Sequence, residues 1–251
     1  MKQKVMDAMQ SFSRALMGPV LFLPIAGMLQ AISSVMSNTA LVTEGGVVCD
    51  VGTDHAYLPA ELLRQNRCPR AVVTDIHAGP LEAARRTLTE TGVLARAELL
   101  LCDGLEQVLP EGITDVVVAG MGGETIVHIL ENCPWRAQAH LILQPMTKLP
   151  VLRQWLAKNG FDWTEQVVSE GGKFYVVLDV QSAAAPQPLT LLEQELGRID
   201  WQEPCASAYA SWKLKRFQKL AQQLKQAGVP EYSLWEALAE ETAANLGRNP
   251  R

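Results

Sequence analysis

Beyond Thr43, short apolar runs alternate with stretches whose apolar residues recur at helical spacing. Residues 46–52 (GVVCDVG), 71–75 (AVVTD), 98–103 (ELLLCD), 115–120 (DVVVAG) and 140–145 (HLILQP) read as five strands. Their near-continuous hydrophobicity is that of strands covered on both faces, as in a parallel sheet. Residues 57–65, 80–91, 124–131 and 148–159 read as the intervening helices. Glu82, Arg85, Arg86 and Glu90 give the second helix a polar side, and Leu149, Leu152 and Leu156 give the last an apolar one. Strand and helix in alternation predict a doubly wound α/β domain.

The plan then changes. Two strand-like runs, 161–169 and 174–180, are separated only by a turn containing Gly171 and Gly172. That link is too short for a crossover helix, so the pair is predicted as an antiparallel hairpin at the sheet edge. A Rossmann-like, mostly parallel sheet ending in such a hairpin departs from the dinucleotide-binding plan and suits a class I methyltransferase. Small residues and prolines at 181–188 (QSAAAPQP) break periodicity and read as a linker. The remainder reads as helices, with Leu214, Phe217, Leu220 and Leu224 along one side. The expected organisation is a hydrophobic segment over 1–43, a Rossmann-like domain over 44–181, a linker over 182–188 and a helical domain over 189–251.

Between Arg14 and Glu44 no residue is charged. The interval is long enough to cross a bilayer core, Lys2 and Lys4 precede it as in a secretory leader, and Pro19 and Pro24 interrupt it. Three readings stand: a hydrophobic helix kinked near Pro24, membrane contact through residues 15–36, and a cleaved signal.

Length and composition bound these readings. A chain of 251 residues with 48% hydrophobic and 20% charged residues suits one soluble domain with an appendage. Cys49, Cys68, Cys102, Cys133 and Cys205 are scattered and form no C-x-x-C pair, which argues against a zinc cluster or a disulfide framework. The formal charge of −5 argues against a uniformly basic coat, yet the charges are segregated. Lys213, Lys215, Arg216, Lys219 and Lys225 form a run with no acidic residue between the first and last, which is either a solvated helix face or a surface for nucleic-acid phosphates.

The chemistry is suggested by where acidic residues fall. Ligands of open parallel sheets bind beyond the carboxyl ends of the strands, and the first three strands end in Asp50, Asp75 and Asp103. A carboxylate after the second strand suits the two ribose hydroxyls of an adenosyl group, and one after the third, beside Gly104, suits the adenine amine. Each also reads as a helix cap or solvated turn. The first turn, DVGTDHAYLP, carries only Gly52 and lacks the glycine set that clears a pyrophosphate, so a phosphate-free cofactor fits it better. Asp54 is a candidate cap for the following helix, and His55 is either a pocket donor or a partly buried hydrogen-bonding residue. After the fourth strand, AGMGGE at 119–124 reads as a glycine-rich turn with room for a planar base, or as a tight strand-to-helix junction. Met121 packs either that base or the core.

The ordered set DVGTDHAYLP, TDIHAGPLEAARR, CDGLE, VVVAGMGGE and LILQP followed by LRQWLAKNGF resembles the bacterial tRNA adenine-22 N1-methyltransferase family over about residues 46–180. The C-terminus resembles, more loosely, the helical, coiled-coil-like domain those proteins add. The resemblance implies S-adenosylmethionine as cofactor, tRNA as partner, a cytoplasmic location, and 1-methyladenosine at tRNA position 22 as product. It implies that Asp50, Gly52 and Asp54 belong to the methionine-side loop and that Asp75 and Asp103 contact ribose and adenine. It further implies that Gly120, Met121, Gly122 and Gly123 face the target base, with Gln144 and Pro145 near the same pocket. Residues 1–43 depart from that family and are similar to the membrane-entry segment of sugar phosphotransferase permeases. Two other readings remain: a methyltransferase acting on protein or a small molecule, and a non-catalytic RNA-binding or membrane-associated scaffold.

Overall fold

The computed structural model describes residues 41–183 and 185–248. The expected kink at Pro24 and the expected contact surface over 15–36 lie outside the described residues. Among the described residues no helix is long and apolar enough to cross a membrane.

Five strands run parallel: β1 (Val47–Val51), β2 (Ala71–Asp75), β3 (Ala97–Leu101), β4 (Ile113–Gly122) and β5 (His140–Thr147). β6 (Phe161–Glu170) and β7 (Lys173–Ser182) form the antiparallel hairpin, and the sheet order is β3-β2-β1-β4-β5-β7-β6. Helices α1 (Tyr57–Arg64), α2 (Ala78–Glu90), α3 (Gly123–Glu131) and α4 (Leu149–Lys158) cover the sheet, and α5 (Leu191–Glu195), α6 (Pro204–Gln226) and α7 (Tyr232–Arg248) follow it. The strands are apolar throughout because both faces are covered. Cys49, Val51, Val116, Val118, Leu141 and Leu143 enter one core layer, while Val48, Val73, Val117 and Ile142 enter the other. Phe217, Leu238 and Ala239 make a small separate core between α6 and α7.

Two strands overrun their sequence-based ends. β4 continues to Gly122 and β5 to Thr147, so AGMGGE is not a free turn. Each extension gives the other a ladder partner, with register shifts on either side of Met121. β7 continues to Ser182, so the linker expected from 182 begins after that residue.

Polar groups are buried at two places that join elements. At the amino end of the sheet, His140 Nδ1 lies 2.9 Å from Asp115 and Nε2 lies 2.7 Å from Asp179, joining β4, β5 and β7. Asp115 also accepts the Thr43 backbone N–H (3.1 Å) and hydroxyl (3.0 Å), which ties down the chain entering β1. Hydrogen bonds donated to Asp115 and then to Asp179 raise the His140 pKa to about 9. Burial pushes the Asp115 carboxyl up, but bonds from His140, Thr114 and Thr43 outweigh it and leave the group below its ordinary range.

On the other side of the sheet, the fully buried Arg153 of α4 meets the fully buried Glu165 side chain of β6 in two bonds, 2.9 and 2.6 Å. Arg153 also donates to the carbonyls of Gln194 (3.1 Å) and Leu196 (3.0 Å), and hydrogen-bonds Tyr209 of α6. Trp163 Nε1 donates to Glu165 at 2.8 Å. This pair pins the segment leading to the C-terminal helices onto the sheet.

Removing one member strands the other charge in the core, so Arg153→Met or Glu165→Gln is expected to cost about 3–5 kcal/mol in urea unfolding. The double variant Arg153→Met/Glu165→Leu should cost less than the sum of the single changes. The raised His140 pKa gives a second expectation. Its stabilisation is complete below the unfolded value of about 6.5 and is lost as pH rises through about 9. The stability gap between wild type and His140→Gln, on the order of 2 kcal/mol at pH 6, should therefore close by pH 10. A gap that does not change with pH would contradict the bridged imidazolium.

Candidate active site

The turn after β1 is held open by its own backbone. Gly52 has φ +71° and Ala56 φ +52°, both left-handed. The Gly52 and Thr53 amides donate to the Thr74 carbonyl at 2.8 and 3.1 Å, and the Ala56 amide donates to the Thr53 hydroxyl oxygen at 3.0 Å. The cap role considered for Asp54 is not filled: among the described residues no side chain caps α1, whose N-cap is Ala56, and the Thr53 hydroxyl holds the Ala56 amide within the turn while Asp54 is exposed. Asp54 instead lies 3.1 Å from His55, whose ring stacks on Tyr57 with centroids 5.2 Å apart. Asp50, inside β1, is buried. Burial raises its pKa to about 6, and the Thr53 side chain, bonded to it, limits the rise.

Asp75 ends β2, and its Oδ1 accepts the His77 amide at 2.7 Å, so one oxygen serves the turn into α2. Asp103 is exposed two residues past β3. Gly104, at φ +53°, accepts the Thr74 hydroxyl at 2.9 Å, and a Cβ there would press on Ile129. β1, β2 and β3 are neighbours, so the three carboxylates sit along one sheet edge. Two residues missed by sequence reasoning share it. Ile76 follows Asp75 with 57% of its surface exposed, and Leu101 ends β3 with 54% exposed. Large side chains bared near two carboxylates put apolar surface and polar groups at one edge, the two components of a small-molecule site. The sequence signal was only that Ile76 follows Asp75 and that Leu101 lies two residues before Asp103.

The glycine segment lies across β1 on the β4 side. Gly120 has φ +79°, and its amide donates to Gln144 Oε1 at 3.1 Å. Gln144 is buried, and its Nε2 donates to the Pro145 carbonyl at 3.0 Å, so its amide is committed to holding backbone. A Cβ on Gly123 would lie 2.5 Å from the Lys148 carbonyl oxygen, which is why only glycine fits where β4 turns into α3 beside β5. Met121 joins the two halves of the edge: its Cε occupies the place where a Gly52 side chain would begin, 1.8 Å from that Cβ position.

The five cations of the C-terminal run do not share one face. Lys213 is partly buried, and that burial lowers its pKa to about 8. Lys225 is paired with Glu236 at 2.8 Å. Lys215, Arg216 and Lys219 are exposed together. The correction follows from the 100° step of a helix, which sends Lys213 and Lys225 away from the other three.

A family profile described as a methyltransferase domain matches residues 32–178. The chain belongs to the methyltransferase domain family. A Bacillus subtilis protein named tRNA (adenine(22)-N(1))-methyltransferase is 36% identical over 141 residues, 55% of this chain. That match spans 59% of the relative, less than two thirds of its length. A Mycoplasma pneumoniae protein provisionally named a tRNA methyltransferase is 33% identical over 169 residues, covering 65% of this chain and 76% of its own. A Streptococcus pneumoniae structure, provisionally named a tRNA (m1A22) methyltransferase and solved with S-adenosyl-L-methionine, superposes with a TM-score of 0.70 at 27% identity. It covers 85% of this chain and 98% of that one. The mostly parallel seven-stranded sheet with its antiparallel edge pair is the Rossmann-like methyltransferase fold.

In this methyltransferase domain Asp50 is ionised at neutral pH against its own burial. An acid whose folded pKa lies above the unfolded value loses stability as pH rises from about 4 to about 6 and stays penalised above that. Asp50→Asn is therefore expected to raise stability at pH 7.5 by about 1–3 kcal/mol while weakening ligand binding at the β1 turn. Thermal melts at pH 4 and 7.5 with a cofactor titration measure both. A variant that is less stable at both pH values would refute this account.

Proposed function

We propose that this methyltransferase acts in the cytoplasm and transfers the methyl group of S-adenosylmethionine to N1 of adenine 22 in a tRNA. The observation that carries the reading is the continuity of the sheet edge. The exposed Ile76 and Leu101, near the carboxylates of Asp75 and Asp103, share the edge with a β1 turn that lacks a side chain at Gly52 and that Met121 connects to a glycine segment on β4. The names of the Bacillus and Streptococcus relatives support the choice of base and cofactor.

The residues fit the cofactor. Asp75 has one oxygen beyond that used by the His77 amide, which suits a ribose diol. Asp103 suits the exocyclic amine of adenine, and Ile76 and Leu101 suit the two faces of its ring. Gly52 presents backbone without a side chain to the methionine portion. When bound, S-adenosylmethionine supplies an electrophilic methyl group on a sulfonium centre.

The target needs no strong base. Adenine N1 carries an in-plane lone pair and is mostly unprotonated at neutral pH, so it attacks directly. As the nitrogen–carbon bond forms, the carbon–sulfur bond breaks, and the positive charge passes to the adenine ring. The residues then have two tasks, alignment and tolerance of that charge. Gly120 and Gly122 leave room for a planar base, Pro145 stands behind them on β5, and Gln144 acts as a positioning residue through the Gly120 amide. N1 is hidden in a base pair, so the substrate adenine must be unpaired or flipped out.

Purified protein incubated with S-adenosylmethionine and tRNAs bearing adenine or guanine at position 22 is expected to form 1-methyladenosine only in the first, read by mass spectrometry. Equal methylation of both tRNAs, or methylation of protein alone, would overturn the assignment. Asp75→Ala should weaken cofactor binding by about 1–3 kcal/mol in calorimetry. Unchanged affinity in the folded variant would take Asp75 out of the site.

A further inference from the structure

Helix α6 carries a solvent-facing stripe that the reading of its lysines alone does not account for. Trp212, Lys215, Arg216 and Lys219 fall at i, i+3, i+4 and i+7, and all four are exposed. The buried residues Ala206, Ala210, Phe217 and Ala221 lie on the opposite side. No acidic residue occurs within the helix. Among the described residues, none of the three cations is paired with a carboxylate.

The tryptophan is part of a series of planar groups that rises from the core to the surface. Phe174 of β7 contacts Tyr209 and Trp212, with ring centroids 5.7 and 5.9 Å away. Tyr209 and Trp212 stack 5.9 Å apart with planes 25° from parallel, and the Arg216 guanidinium lies 4.7 Å from the Trp212 ring centroid. Trp212 keeps 42% of its surface exposed. An ordinary solvated helix face has no use for a bared indole supported from below by two aromatic rings.

The topology places this series at the proposed methyl-transfer edge. β5 and β6 are both antiparallel to β7, so the β6–β7 turn, followed by the exposed Lys173, lies at the edge where the parallel strands end. The register that pairs Leu143 with Leu178 carries Thr147, four residues further, to the level of Phe174, and Thr147 is itself the partner of Gly122. β4, which carries the glycine segment, and β7, which carries Phe174, are thus two strand spacings apart, about 10 Å between their axes.

We propose that Trp212 and Arg216 form a stacking platform for an unpaired nucleobase flanking the target adenine, with Lys215 and Lys219 on the adjoining phosphates. The proposal rests on the tRNA methylation reading and adds to it a contact of a different kind. Bases stack on indole and guanidinium planes irrespective of sequence, and phosphates bind cations with a salt dependence that stacking lacks. A flanking base held here would present the neighbouring adenine to the glycine segment.

The test uses the full chain and tRNA, with anisotropy titrations over a salt series, calorimetry with S-adenosylmethionine, and single-turnover methyl transfer on the same preparations. Trp212→Ala is expected to weaken tRNA binding roughly ten-fold, without change in the slope of log Kd against log salt or in cofactor affinity. Arg216→Lys keeps the charge, loses the plane, and should weaken binding several-fold at unchanged slope. Lys215→Gln with Lys219→Gln should instead lower the slope by about 2. A tRNA made abasic at both nucleotides flanking the target should bind wild type roughly ten-fold more weakly and Trp212→Ala no more weakly than intact tRNA. Wild-type affinity in both Trp212→Ala and Arg216→Lys, or an equal response of wild type and Trp212→Ala to abasic tRNA, would overturn the platform and leave the methylation reading standing. Trp212-dependent binding by a protein that makes no 1-methyladenosine would keep the platform and fell that reading instead.

Discussion

The Arg153–Glu165 pair is the interaction on which the relation between the two parts of the molecule depends. Two charges without solvent contact are tolerated because nearly every donor and acceptor of the pair is used, on α4, β6, the segment around Leu196, and Tyr209. Gly197 shows how tightly the surroundings close: at φ +105°, a Cβ there would lie 2.3 Å from Glu165 Oε2 and 2.4 Å from Arg153 Nη2. A hydrophobic contact of equal area would hold α6 against the sheet as well, but it would leave sliding and rotation cheap. Directional bonds fix both. They fix Tyr209, and through Tyr209 the place of Trp212 at the sheet edge.

The two ends of the sheet use buried charge in opposite ways. At the amino end, His140 stands between Asp115 and Asp179, and every ionised group has an opposite charge within hydrogen-bonding distance. At the carboxyl end, Asp50 is buried with a threonine as its bonded partner and, among the described residues, no cation paired with it, so its pKa moves up, where that of Asp115 moves down. Paired buried charge thus lies at the amino end, away from the proposed site. The opposite edge keeps unmatched polar and apolar groups, which is the expected cost of a site that waits for a ligand.

Much of the fold was legible because hydrophobic runs in a doubly covered sheet have sharp ends: β2 was read at 71–75, its observed limits, and the hairpin followed from the short link at Gly171–Gly172. The β4 and β5 extensions were not legible, since glycine and proline signal a stop locally and only the neighbouring strand supplies the ladder bonds that override it. Asp54 is a cap by residue type alone, whereas the left-handed Ala56 takes the N-cap position and leaves α1 without a side-chain cap, a backbone choice that residue preference does not reveal. Ile76 and Leu101 look like ordinary strand-end hydrophobes in one dimension, and only their exposure marks them. The basic run on α6 was visible as composition, but its division needed the helix phase together with the position of Glu236 on α7.

Met121 shows why the site is more than a set of strand ends. Its backbone is held between two register shifts on β4, while its side chain reaches back over the β1 turn to fill the space that Gly52 leaves empty. A methionine in that place keeps the turn covered at little cost, since three rotatable bonds let the thioether move aside without disturbing the backbone. A branched residue would fill the same volume rigidly, and a smaller one would leave the turn bare. The backbone frame of the edge, set by Thr53, Gly104, Gly123 and Gln144, is thus rigid, while the side chain that lines it between the β1 turn and the glycine segment is adaptable. Alignment of a nucleophile with a methyl group needs the first property, and entry of two separate ligands to adjoining places needs the second.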